Sequence, residues 1–215
     1  MEKLSVEEGA FLVKLARRAV EEYLERAVII EPPPNTPERL MKNSGVFVTL
    51  EKISVNPVTR QAKRELRGCI GYPEPLFPLA EATIRSAIAA ATEDPRFPPL
   101  TPRELDEVVI EVSVLSKPEQ VVYDDYRDLL DKVKVGRDGL LVEYGMARGL
   151  LLPQVPVEEG WDVGEFLSYA CLKAGLPEDF WRSGKLRVYT FQAQIFVEVV
   201  PRGEVTERIL EIIPG

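Results

Sequence analysis

Val108-Val109-Ile110-Glu111-Val112-Ser113-Val114-Leu115 is the stretch on which the fold turns. A run this rich in β-branched residues forms a strand. Thr101-Pro102-Arg103-Glu104 comes just before it, a capping box with proline at the first helical position, so a short helix leads into the strand. Alternation along the strand puts Glu111 and Ser113 on one face and Ile110, Val112 and Val114 on the other.

Upstream, Leu79, Ala80, Ala82, Ile84, Ala87, Ile88 and Ala91 recur at helical spacing, and Asp94-Pro95 ends that helix. Val46 to Leu50 and Leu66 to Ile70 read as two strands of a long-looped hairpin. At the start of the chain, Ser5 and Glu8 form a capping box ahead of Leu12, Leu15, Ala16, Ala19, Val20 and Tyr23, which predicts a helix of about five turns. The proline-rich run from Glu31 to Pro37 cannot continue it and forms a stiff linker.

Downstream, Tyr126 to Val133 reads as a modest helix. Gly139 to Tyr144 and Gly149 to Leu152 flank Gly145-Met146-Ala147-Arg148 as a β-hairpin. Asp162 and Glu165 cap a helix through Phe166, Leu167, Ala170 and Cys171 that stops at Gly175. Tyr189 to Val197 has the period-two pattern of one long strand. Helices and strands mix without a regular βαβ alternation, which predicts an α+β fold with a mainly antiparallel sheet flanked by helices.

With 215 residues, the chain is long enough for one large domain or two small ones and needs no disulfide or metal to support a core. A formal charge of −8 disfavours general coating of nucleic acid or anionic lipid. There is no histidine, which removes Ser-His-Asp and Cys-His catalysis and imidazole metal ligands. Cys69 and Cys171 lie far apart with no metal-binding spacing, so no metal site is expected and two free thiols in a reducing cytoplasm are the default. No uncharged stretch approaches the ~20 residues that span a bilayer. Asparagine occurs only at 35, 43 and 56, while 18 prolines stiffen the loops, a pattern suited to a heat-adapted protein.

Arg67-Gly68-Cys69-Ile70-Gly71 is the least ordinary segment. Glycines on both sides of a cysteine free the backbone to expose N–H groups and let a ligand approach the sulfur. Arg67 favours the thiolate if its guanidinium reaches the sulfur. The alternative is that Cys69 is a small buried hydrophobe beside a β-bulge.

Leu66-Arg67-Gly68-Cys69-Ile70-Gly71 resembles the hexapeptide signature of the AMMECR family, named for the Alport-syndrome contiguous-deletion region. Gly45 to Leu50, Asp94-Pro95-Arg96-Phe97-Pro98-Pro99-Leu100, Glu111 to Leu115, Leu152 to Val155, Gly160-Trp161-Asp162 and Cys171 to Leu176 resemble the family's other blocks in the same order. The resemblance implies a larger subdomain built from both chain ends and a smaller central one, with the signature near the cleft between them. Residues 1–40 with 118–215 are assigned to the larger part and 41–117 to the smaller.

The resemblance fixes no reaction and no cofactor. It implies a ligand-binding or catalytic site at Cys69, or alternatively a regulatory or adaptor module that contacts protein or RNA. It also implies a functional link to a MEMO-like protein and a radical S-adenosylmethionine enzyme. Carried onto this chain, it makes Cys69 the nucleophile or ligand contact and Arg67 an anion anchor, with Gly68, Ile70 and Gly71 lining the site. Glu111 is the candidate general base or partner of Arg67, with Ser113 on the same strand face. Gln154, held between Pro153 and Pro156, is a candidate ligand contact. Cys171 reads as core, and Lys173 suits the negative end of its helix. Arg60, Lys63, Arg64 and Arg67 form a basic run, read as a solvated loop or an anion-binding patch.

Overall fold

The first helix, α1 (Val6–Arg26), begins at the predicted capping box, where the Ser5 hydroxyl accepts from Glu8 N and Glu8 accepts from Ser5 N. Residues 3–55 and 62–211 are described by the computed structural model. Next come β1 (Gly45–Val55) and β2 (Ala62–Tyr72), then α2 (Leu79–Thr92) and β3 (Val108–Leu115). A 3-10 turn at Pro102–Asp106 leads into β3 and carries the expected capping box. After these follow β4 (Glu119–Gln120), α3 (Asp128–Lys132), β5 (Gly139–Tyr144), β6 (Ala147–Leu151), α4 (Gln154–Glu159) and α5 (Val163–Lys173). The last strands are β7 (Arg187–Phe191), β8 (Ala193–Glu198) and β9 (Val205–Arg208). The architecture is α+β with antiparallel sheets flanked by helices, as the sequence predicts.

Two compact units divide the chain. The first joins Met1–Leu115 to Gln194–Arg208, and the second joins Ser116–Ala193 to Ile209–Gly215. Residues 41–115 thus share a unit with residues 1–40 and 194–208, where the resemblance assigns 41–117 to a part of its own. The reason is topological: β3 neighbours β8, so a C-terminal strand completes the sheet that the β1–β2 hairpin begins.

The first unit's sheet runs β2-β1-β3-β8-β9. Its core packs Leu12, Ala16 and Val20 of α1 and Ile84, Ala87 and Ala91 of α2 with Val48, Leu50, Ile110 and Val112 of the sheet. One ion pair is buried in this apolar setting: Arg17 of α1 binds Glu198 of β8 and donates to the Leu105 and Val108 carbonyls. Glu198 also accepts from Ile110 N at 3.0 Å. These bonds satisfy both charges, which would otherwise be costly to bury.

The second unit's sheet runs β4-β7-β5-β6. Its core gathers Leu140, Val142 and Val188 with Phe166, Leu167 and Cys171 of α5 and with Trp181. Gly149 of β6 lets α5 approach closely, since a Cβ there would overlap the Ala170 carbonyl.

The segment read as one long strand is two. β7 pairs with β5 and β8 with β9, so the halves belong to different sheets. Between them Gln192 leaves the ladder, donating N–H to the Ser116 hydroxyl and accepting from Ser116 N, each at 2.8 Å. Local alternation cannot distinguish a continuous strand from one that changes sheets at a single residue.

Candidate functional site

Sheet register builds the site. Across β1 and β2, Thr49 faces Cys69 and Leu50 faces Gly68, but Glu51 faces Leu66, so Arg67 is the extra residue of a β-bulge. Across β1 and β3, Thr49 faces Glu111 and Phe47 faces Ser113. Cys69, Thr49 and Glu111 therefore form one polar row over three adjacent strands, opposite the face where Leu50 and Ile110 enter the core. The Thr49 hydroxyl lies 3.3 Å from the Cys69 sulfur. Gly68 points the other way, where a Cβ would overlap the Ala90 carbonyl of α2. The glycine before the cysteine thus seats the helix, and that contact fixes which way the thiol faces.

β2 is an edge strand, and its outward N–H at Cys69 donates to Asp94 Oδ2 at 2.8 Å. Asp94 also accepts from Arg96 N at 3.1 Å, from Arg96 Nε at 2.9 Å and from Arg96 Nη2 at 2.7 Å. The Arg96 guanidinium, aided by the Cys69 and Arg96 backbone N–H groups, holds the Asp94 carboxyl down to about 2 against the opposing effect of burial. Arg96 is itself raised, first by Asp94 and also by the negative charge available at Cys69.

Arg67 turns elsewhere. Its Nε and Nη2 donate to Glu104 at 3.0 and 3.2 Å, and Nη1 donates to the Pro98 carbonyl at 3.0 Å. The guanidinium stands 5.9 Å from the Phe97 ring centroid. This pairing brings Glu104 down to about 2, with Arg67 the largest cause. The cation expected to serve the thiol and to pair with Glu111 does neither. The bulge at Arg67 turns its side chain toward Pro98, Pro99 and Glu104, while Glu111 accepts from Arg208 Nη1 at 3.0 Å.

Asp94 to Leu100 and the signature are thus one structural device, in which Asp94 holds the Cys69 backbone and the Pro98 carbonyl holds Arg67. A model of the AMMECR1 family matches residues 13–196, a span that includes both blocks. The chain belongs to the AMMECR1 family. It is similar to a protein of Thermofilum pendens, 72% identical over 99% of this chain and all of that one. A protein of Methanopyrus kandleri is 54% identical over 97% of each chain. Among solved structures, an uncharacterised protein from Pyrococcus horikoshii has a TM-score of 0.88 at 54% identity, covering 95% of this chain and 98% of that one.

In this AMMECR1-family chain the remaining candidates fall at several places. Glu111 and Ser113 are buried, so Glu111 is not a solvated strand residue. Ile70 packs on the first core, and Gly71 makes room for Phe47, whose ring a Cβ there would overlap. Gln154 lies in the second unit, where it opens the short helix α4 instead of sitting in a loop, and it is buried. Lys173 ends α5, as expected. Cys171 is fully buried core, and burial pushes its thiol up to about 11.

Each described cation of the basic run has a carboxylate partner. Lys63 pairs with Glu65 at 2.8 Å, Arg64 with Glu51 at 3.2 Å and Arg67 with Glu104, while Arg60 lies outside the described residues. Among the described residues no cluster of three or more Cys, Asp or Glu is arranged to hold a metal ion, and no helix is long and apolar enough to cross a membrane. Sequence reasoning missed Thr49, Asp94, Arg96, Glu104 and Arg208. For three of them a signal is present: Thr49 stands in the Gly45–Leu50 block, and Asp94 and Arg96 in the Asp94–Leu100 block, where Asp94 reads only as a helix stop.

Proposed function

We propose that this AMMECR1-family protein binds a small molecule at the row formed by Cys69, Thr49 and Glu111, with the Cys69 sulfur as the contacting or reacting atom. The contrast between its two thiols supports this reading. Cys171 is sealed in an apolar core, whereas Cys69 is partly exposed, beside the Thr49 hydroxyl and within electrostatic reach of Arg96. Partial exposure and a nearby cation are the conditions that make a thiol reactive. The neighbouring ion pairs add charge and hydrogen-bonding capacity without histidine: Glu111 with Arg208 at one end of the row, Asp94 with Arg96 at the other.

We place the protein in the cytoplasm, where free thiols stay reduced. Intact-mass and peptide mass spectrometry of protein purified from its native source tests the binding role. The expected result is a ligand or adduct that maps to Cys69 and is absent from Cys69→Ser protein prepared in parallel. An unmodified Cys69 that retains no ligand, in protein isolated under gentle, non-reducing conditions, would count against it.

A further inference from the structure

We infer that Arg96 is the anion anchor of the Cys69 site, so that the ligand carries a carboxylate- or phosphate-type group close to the atom that meets the sulfur. The inference rests on the proposed role of Cys69 and adds to it the class of ligand.

The two arginines near the signature differ in what they leave available. Arg67 is spent: both edges of its guanidinium are engaged by Glu104 and backbone carbonyls, and its side chain is only 11% exposed. Arg96 gives one edge, Nε and Nη2, to Asp94. Its Nη1 makes no hydrogen bond among the described residues, and the side chain is 52% exposed.

Asp94 does not cancel this cation from the side a ligand would approach. Its side chain is 2% exposed, and its two oxygens accept from Cys69 N and three Arg96 donors. Its negative charge is therefore buried, while about half of the Arg96 side chain is exposed. Because Cys69 N and Arg96 Nη2 bind the same oxygen, the guanidinium is also fixed next to the thiol's own residue. Phe97, whose ring centroid lies 5.5 Å from the Arg96 guanidinium carbon, supports it further. A guanidinium gripped along one edge presents the other as a preorganised fork for a planar or tetrahedral oxyanion.

The test compares two alkylating probes, anionic iodoacetate and neutral iodoacetamide, with labelling of Cys69 followed at the peptide level. In each case the thiolate attacks the methylene carbon, a C–S bond forms and iodide leaves. The iodoacetate-to-iodoacetamide rate ratio for Cys69 is normalised to that of a small free thiol. The net charge of −8 disfavours an anionic reagent overall, so any preference has to arise locally.

Arg96 should raise the normalised ratio about two- to fivefold, the effect of one partly exposed charge pair. Arg96→Gln should return it to the free-thiol value, Arg96→Lys should keep part of it, and molar salt should erase it. Inorganic phosphate should protect native Cys69 from both probes. If Cys69 labels readily with iodoacetamide but the ratio is unaffected by Arg96→Gln, the anion anchor is overturned while the reactive thiol stands. If neither probe labels Cys69 in native protein, the thiol role falls and the anchor with it. Should Arg96→Gln not fold, the salt response and phosphate protection of the native protein decide, and the absence of both overturns the inference.

Discussion

The Cys69 backbone N–H donates to Asp94 Oδ2 at 2.8 Å, joining residues 25 positions apart. This bond closes the edge of β2 at the thiol, where an unpaired strand would otherwise offer its N–H to another chain. It also takes that N–H out of use as an oxyanion donor.

The carboxylates of this device give the fold an acid limit. Asp94 and Glu104 both lie near 2, below their unfolded values of about 3.9 and 4.3, so each stabilises the native state fully above those values and loses its contribution as pH falls toward 2. The loss for Asp94 is on the order of 2 kcal/mol. Urea midpoints should be level from pH 7 to 5 and drop between about pH 4.5 and 2. Asp94→Asn should be less stable at pH 7 and show a shallower acid drop. Parallel acid curves for the two proteins would contradict the assignment.

Arg67 is predicted to be structural. Arg67→Ala leaves Glu104 without its charged donor and should cost about 1–3 kcal/mol in chemical denaturation. The pH dependence of Cys69 alkylation should stay at the wild-type position. Arg96→Gln should instead shift that dependence to higher pH, because the cation acting on the sulfur is gone. A shift with Arg67→Ala and none with Arg96→Gln would reverse the two roles.

Gly68 sets the helix against the sheet. A methyl group there meets the Ala90 carbonyl, and the overlap can be relieved only by moving backbone. Gly68→Ala should lower stability by about 2–3 kcal/mol, the upper range for overpacking, read from thermal or urea unfolding. A variant as stable as wild type would show that α2 is not seated this closely.

Much of both units is legible locally. The helix over Leu79–Thr92, the strand over Val108–Leu115 and the capping boxes at Ser5, Thr101 and Asp162 all follow from spacing within a few residues. Glu111 and Ser113 share a face because strand alternation is exact in period, and Cys171 is core because its neighbours on the helix are apolar. The partners of Arg67 and Glu111 were not legible. Their choice depends on a one-residue bulge after Leu66 and on the placing of β8 and β9 beyond β3 in the sheet, and both are properties of sheet pairing between distant segments. The wider hairpin was under-read for a related reason. Charged residues such as Lys52, Lys63 and Glu65 look like loop, yet they lie within the long strands β1 and β2.

High thermal stability is expected of the whole chain. Its few asparagines and many prolines agree with similarity to proteins of Thermofilum, Methanopyrus and Pyrococcus. The unfolding midpoint should lie well above the ordinary mesophilic range of ~45–65 °C. A midpoint inside that range would contradict the expectation.

The most direct measurement is the iodoacetamide labelling rate of the two cysteines in native protein at neutral pH, resolved by peptide mass spectrometry. Cys69 should label at least about tenfold faster than Cys171, whose thiol is buried and pushed up to about 11. Unfolding in denaturant should bring the two rates together, and Cys69→Ser should remove only the fast one. Equal, slow labelling of both cysteines in folded protein would contradict a functional thiol at Cys69 and leave an adaptor role as the better reading.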